Sequence, residues 1–298
     1  MAATGSEHPI VVGYDGSSES RDALTLGVAL AAATGDPLVL ACAHTASDDR
    51  GAQAVLARVT DLRHSGLPQA VERRTVPGQS AAAALQELAE AEHPRAIVLG
   101  SHHKGQPGRV LAASVAERLL HGSPSPIAIA PRGLSHEPPA SLRTVCAAFD
   151  GRPESWAALQ RAAQIAASAN AGLRILWVLE RSRGHHLAPH AEQHAAEARR
   201  EAEIELARAA ESVSQRLHPE TRLVEGNPAR VLAHEQDDVD LLVVGSRGYG
   251  PVRRVLLGGV STALVRNARS PVMVVPRTAE FDPGGEGLAA GDELATAG

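Results

Sequence analysis

The chain alternates short, continuous apolar runs with longer stretches in which Ala and Leu recur at helical spacing. Short β-branched runs bounded by Gly or Pro read as buried strands, and a three-to-four-residue apolar period reads as helix. In the first half this predicts strands at 10–13, 38–43, 71–76, 96–99 and 127–130. Helices are predicted from an N-cap at Ser17 or Ser18 through the Ala/Leu run 23–33, from Ser80 to position 91, and at 114–121. Between the second and third strands the pattern gives only a long connection. The second half predicts strands near 145–148, 174–179, 221–224, 240–244 and 272–275, with a charged helix, EARREAEIELARAAE, in its middle. Fully apolar strands alternating with helices imply an α/β fold with a parallel, doubly wound sheet, whose ligands sit beyond the strand C-termini.

The two halves are one pattern written twice. IVVGYDGSSES matches VCAAFDGRPES, so Asp15 falls on Asp150, Gly16 on Gly151, Glu19 on Glu154 and Ser20 on Ser155. The segment 100–132 aligns on 245–277 without a gap, bringing Gly100 onto Gly245, Gly105 onto Gly250, Arg109 onto Arg254 and Val115 onto Val260. The expected organisation is a disordered start (1–8), a domain over 9–132, a Gly- and Pro-marked linker over 133–142, a second domain over 143–277 and a disordered tail over 278–298. Aromatic residues make up 2% of the chain, so both cores must be built from Ala, Val, Leu and Ile.

The strongest chemical signal is GSRGYGPVRRVLLGGVS, residues 245–261, which follows the apolar run VDLLVV ending at Val244. Glycines where a chain leaves a strand permit positive φ and let a ligand reach the amides. Backbone N–H groups in such a loop and at a helix N-terminus offer a phosphate unpaired donors and partial positive charge. A Gly loop alone is often only turn chemistry, and Asp15 and Asp150 equally suit capping of the helices they precede. The matched Asp and loop, at the same end of the sheet in both halves, favour a nucleotide phosphate site.

Composition and the remaining motifs narrow the classes. A net charge of −5 argues against nucleic acid as a partner. No apolar run is long enough to span a membrane and no secretory signal is evident, so the expected location is cytoplasmic. Cys42 and Cys146 lie inside apolar strand patterns and read as buried thiols, not as a disulfide. The GxxxxGK[ST] loop, the GxSxG elbow and a GxGxxG after the first strand are all missing, as is a Cys placed as a nucleophile, which leaves little support for an enzyme. His185, His186, His190 and His194 form the sharpest rival, a metal cluster, but HAEQH lacks the HExxH arrangement and no metal is expected. Arg247, Arg253 and Arg254 suit a solvated face, and Arg254 with Arg109 suits a repeated interdomain ion pair equally well. The His102–His103 pair is explained by the first-half loop.

On these residues the chain resembles the universal stress protein family in its tandem, two-domain form. The family pattern is a first strand ending in Asp, then Gly-x2-Gly-x9-Gly-Ser/Thr after the fourth strand. Here it reads Gly245, Gly248 and Gly258, with Gly259 where Ser or Thr is usual. The resemblance implies two tandem five-stranded domains of the adenine nucleotide alpha hydrolase-like type and an ATP site, with Mg²⁺ recruited mainly by the phosphates. It implies Asp150 at the adenine or ribose, the backbone at Val178 on the adenine edge, and Val244, Gly245, Ser246 and Gly248 around the ribose and inner phosphates. Gly258, Gly259, Val260 and Ser261 would hold the outer phosphates. The corresponding first-half positions are Asp15, Ala43, Gly100, Gly105, Ser114 and Val115, with His103 and Ala113 in place of Gly248 and Gly258, and Lys104 able to face a phosphate. The SGGxDS-like loop of related ATP pyrophosphatases has no match. The function implied is a nucleotide-dependent regulator or sensor in stress response, acting through an unidentified protein partner. A slow ATP hydrolase and a structural paralogue without nucleotide are the alternatives. Family members usually dimerise through their last strand, so SPIAIAP and SPVMVVP are expected to pair within one chain as an internal pseudo-dimer, with a homodimer of two chains left open.

Overall fold

A computed structural model describes residues 8–45, 48–59, 71–101, 115–139, 141–180, 191–213, 217–234, 238–246, 259–267 and 269–276. The first half runs β1 (Ile10–Gly13), α1 (Ser18–Thr34), β2 (Leu38–His44), α2 (Asp49–Ala57), β3 (Glu72–Pro77), α3 (Ala81–Glu92), β4 (Ala96–Gly100), α4 (Val115–Leu120) and β5 (Ile127–Ala130). The second runs β6 (Thr144–Phe149), α5 (Pro153–Ala169), β7 (Gly172–Glu180), α6 (Ala191–Ser212), β8 (Glu220–Gly226), α7 (Pro228–His234), β9 (Leu241–Gly245), α8 (Gly259–Asn267) and β10 (Val272–Val275).

The strands form a single sheet in the order β3-β2-β1-β4-β5-β10-β9-β6-β7-β8. Each half is parallel within itself, with Val11 opposite both Val39 and Ile97, and Cys146 opposite both Arg174 and Leu242. The halves meet antiparallel at β5 and β10, where Ala128 faces Met273. The two last strands thus pair within the chain, and neither is left as an open edge. The seam is apolar on both faces: every residue of β5 and β10 is buried.

Strand alternation builds two cores, one on each side of the sheet. Val12, Leu40, Val98, Ala147, Ile175 and Val243 point to one side, under α1, α2, α5 and α6. Val11, Val39, Ile97, Cys146, Leu176 and Leu242 point to the other, under α3, α4, α7 and α8. Cys42 and Cys146 are buried, and neither forms a disulfide. Burial pushes the Cys42 thiol up, and the nearby Asp15 and Asp48 push it further, which keeps it protonated and inert.

Local chemistry sets the helix ends. Ser17 caps α1 by accepting from the Ser20 amide, and Ser80 caps α3 by accepting from the Ala83 amide. Gly35 and Asn170 close α1 and α5 in the left-handed conformation. The long connection after β2 contains α2, which sets Ala52 and Leu56 one turn apart against the core. The linker is ordered by a buried carboxylate. Asp22 on α1 accepts from the amides of Gly133 and Ser135 at 2.8 Å and from the Ser135 hydroxyl at 2.6 Å. The N-terminal segment 1–7 and the tail 277–298 lie outside the described residues.

Candidate functional site

The second half opens a cavity of about 290 Å³ at the C-terminal edge of its parallel strands. It sits between β6 and β9, where one strand feeds a helix on one face of the sheet and its neighbour feeds the other face. This is the switch point at which open α/β sheets take ligands. It is walled by the turn after β6, the end of β7, Pro228 and Leu232 of α7, and the first turn of α8.

After Phe149 the chain turns through Asp150 and Gly151. Gly151 has φ +76°, and a Cβ there would also meet the Trp177 ring at 3.2 Å, so both backbone and neighbour call for glycine. Asp150 Oδ1 accepts from the Arg152 amide at 3.2 Å, closing the turn before α5 begins. Asp15 does the same for the Ser17 amide at 2.9 Å. Neither carboxylate caps its helix, so the capping alternative falls away for both. Burial raises the Asp15 pKa, but hydrogen bonds from Ser17 and Ser20 outweigh it and hold the carboxyl below its ordinary value.

Beneath the turn lies an aromatic cluster without a counterpart in the first half. Phe149 meets Trp156 edge-on at 4.9 Å and Trp177 at 5.6 Å. The repeat puts Tyr14, Arg21 and Cys42 at these positions. Sequence reasoning missed the cluster, although four of the chain's six aromatic residues fall in the second repeat.

The glycine that opens the loop has a different reason from the one expected. Gly245 is absent from the described residues with positive φ. A Cβ at this position would overlap the Glu154 carbonyl oxygen in the first turn of α5, and one at Gly100 would overlap that of Glu19 in α1. Both glycines seal a helix N-terminus against a strand end. A Cβ on Gly259, at the start of α8, would meet no atom of the described residues within 4 Å. The Ser261 hydroxyl reaches back to the Gly245 carbonyl at 3.5 Å, tying α8 to the end of β9.

Asp150, Val178, Val244, Gly245, Val260 and Ser261 come together around this one cavity. Gly259 adjoins them as the first residue of α8, and Ser246 lies buried one residue past Gly245. Among the described residues the Ser246 hydroxyl has no hydrogen-bond partner, a donor left over at the foot of the loop. In the first half Asp15, Ala43, Gly100 and Val115 occupy the matching strand ends and helix start. Gly105, Ser114, Gly248 and Gly258 lie outside the described residues, as do His102, His103, Lys104, Ala113 and the basic residues Arg109, Arg247, Arg253 and Arg254. So do His185, His186 and His190, while His194 stands on α6 beside Glu197. Among the described residues no group of His, Cys, Asp or Glu is arranged to hold a metal, and no helix is long and apolar enough to cross a membrane. Arg152, Glu154 and Glu180 also line the cavity and were not singled out from sequence.

Comparison with known proteins agrees with this architecture. A universal stress protein of Mycobacterium tuberculosis is 29% identical over 239 residues, covering 78% of this chain and 79% of its own. A second from the same organism is 28% identical over 303 residues, covering 92% and 99%. Among solved structures, a universal stress protein from Archaeoglobus fulgidus superposes with a TM-score of 0.62 at 18% identity, covering 92% of this chain and 100% of that one, which shows the shared fold. A universal stress protein solved in complex with cAMP matches 45% of this chain at 29% identity and a TM-score of 0.33. The sequence pattern of the Universal stress protein family matches residues 7–131 and again 141–276. With both halves matched, the chain belongs to the universal stress protein family.

Proposed function

We propose that the protein is an ATP-binding regulator in stress response, whose best-formed site is the cavity of the second half. The observation that carries the reading is the convergence of Asp150, Val178, Gly245, Val260 and Ser261 on one crevice at the sheet's switch point. The residues fit the ligand class. Apolar walls from Leu176, Val178 and Val244 suit a base, the Asp150 carboxylate suits ribose hydroxyls, and the first turn of α8 directs its backbone amides and positive end toward a phosphate. The buried Ser246 hydroxyl, without a partner among the described residues, supplies a further donor at the loop's foot. Bound Mg²⁺ would travel on the phosphates, since the described walls offer no ligand cluster of their own.

The geometry supports binding over turnover. The described walls hold no Cys or His nucleophile or base and no lysine to stabilise a transferring phosphoryl group. The output is then a change in a protein partner's association, in a cytoplasmic setting.

Calorimetric titration of the full chain with ATP, ADP and AMP in the presence of Mg²⁺ tests this. Saturable ATP binding with hydrolysis far below about 1 turnover per second is expected, since ordinary enzymes lie at or above that rate. No binding at millimolar ATP refutes the nucleotide reading, and turnover at ordinary enzyme rates refutes the regulator reading.

A further inference from the structure

The two halves break symmetry most sharply at the residue that opens the first long helix. Ser17 opens α1 and is a good N-cap, its hydroxyl accepting from the Ser20 amide at 3.1 Å. Its repeat counterpart is Arg152, which opens α5 and makes no capping hydrogen bond with its side chain. The Ser155 amide donates instead to the Arg152 carbonyl at 2.9 Å, while the Ser155 hydroxyl donates to that carbonyl at 2.8 Å just as the Ser20 hydroxyl does to the Ser17 carbonyl at 3.1 Å. A guanidinium at a helix N-terminus also faces the positive end of the helix dipole. Two local rules of helix stability are therefore broken at one position, and that position is a wall of the cavity.

Pro153 at the first helical position and Glu154 in the first turn support the start of α5, but the Arg152 side chain itself adds no capping hydrogen bond. The Arg152 side chain is 57% exposed, and its ion-pair contact among the described residues is a long one, Nη1 to Asp150 Oδ2 at 3.7 Å. The cavity meanwhile is lined by three carboxylates, Asp150, Glu154 and Glu180, and Arg152 is the one basic residue among its described walls. An anionic ligand entering such a crevice meets three carboxylates, and beside the positive end of α8 this guanidinium is the one described side chain of opposite charge.

We propose that Arg152 is the residue that selects phosphorylated ligands for this cavity, rather than a structural residue of α5. The proposal rests on the nucleotide reading above and narrows it to nucleoside phosphates as against nucleosides. On binding, the guanidinium leaves Asp150 for the phosphate nearest the ribose, forming charge-assisted hydrogen bonds, and Asp150 is released to the sugar hydroxyls. The first half, with Ser17 in this place, lacks the selector.

Titration of the full chain and of its Arg152→Ser and Arg152→Lys variants with ATP, AMP and adenosine, alongside thermal unfolding, tests the assignment. Arg152→Ser restores the first-half cap, so its midpoint should rise while ATP and AMP binding weakens about tenfold and adenosine binding stays level. Arg152→Lys should keep part of the phosphate preference without the forked contact. A merely structural arginine would move stability and affinity in the same direction. Unchanged ATP and AMP affinity in Arg152→Ser, or an equal loss for adenosine, overturns the selector and leaves the nucleotide site standing. Failure of the unaltered chain to bind any of the three overturns both.

Discussion

The two halves share a frame and differ in what they set upon it. In both, an Asp after the first strand holds the amide two residues on, and a glycine at the end of the fourth strand admits the first turn of the long helix. These features recur because they join a strand to a helix, whatever the ligand. The second half then adds Phe149, Trp156 and Trp177 beneath the turn and Arg152 beside it, where the first half carries Tyr14, Arg21, Cys42 and Ser17. The first half instead holds the linker through Asp22, whose repeat counterpart is Ala157. A shared skeleton marks what folding requires. Residues found in one half alone mark what that half does.

The sharpest way to break this comparison is to remove the aromatic floor. Phe149→Ala empties a site that is 3% exposed and strips both tryptophans of their edge contacts, so it should cost about 4 kcal/mol. Tyr14→Ala, lacking such partners, should cost less, and equal losses in denaturant unfolding would show that the cluster adds nothing. Next come the shared glycines. Gly245→Ala and Gly100→Ala each drive a methyl group into a helix carbonyl and should lose about 3 kcal/mol apiece. A cost under about 1 kcal/mol at either would mean that this half does not need the seal.

The smallest effect concerns the linker. Asp22→Ala gives the first half the residue of the second and leaves the Gly133 and Ser135 amides without their acceptor, a loss of about 2 kcal/mol at neutral pH. Burial raises the Asp22 pKa, but the hydrogen bonds from Ser135 and Gly133 more than reverse this, so the folded value lies below the ordinary 3.8. Its contribution is therefore complete above that ordinary value and fades as pH falls through the folded one. The stability gap between parent and variant should shrink on acidification below about pH 4, and a gap constant with pH would exclude an ionised Asp22 as the clasp.

Much of the fold was legible because strands and repeats are written locally. The β-branched runs mark all ten described strands to within a few residues, and the family resemblance implied the pairing of SPIAIAP with SPVMVVP that forms the β5–β10 seam. What escaped depends on partners distant in sequence or on weak signals. Helix α2 is nine residues long, its Asp48 cap makes no side-chain bond, and only Ala52 and Leu56 mark its buried stripe. Asp22 sits four residues before the buried Leu26, so its place on the buried face of α1 was readable, but its acceptor role needs a linker more than a hundred residues away. The site was half legible. Its Asp and loop positions follow from the repeat, whereas the packing role of Gly245 requires α5 in place, and Arg152 stands out only when set against Ser17.

The antiparallel seam between β5 and β10 carries a last implication. A half-length chain could bury such a strand edge only by meeting a second copy, and its assembly would rise and fall with concentration. With both strands on one polypeptide, association becomes intramolecular and independent of dilution. Identical copies must also inherit every change twice, whereas a fused pair inherits it once. The covalent join therefore frees each lobe to drift alone, and a guanidinium can line a crevice in one while a serine persists at the matching turn of the other.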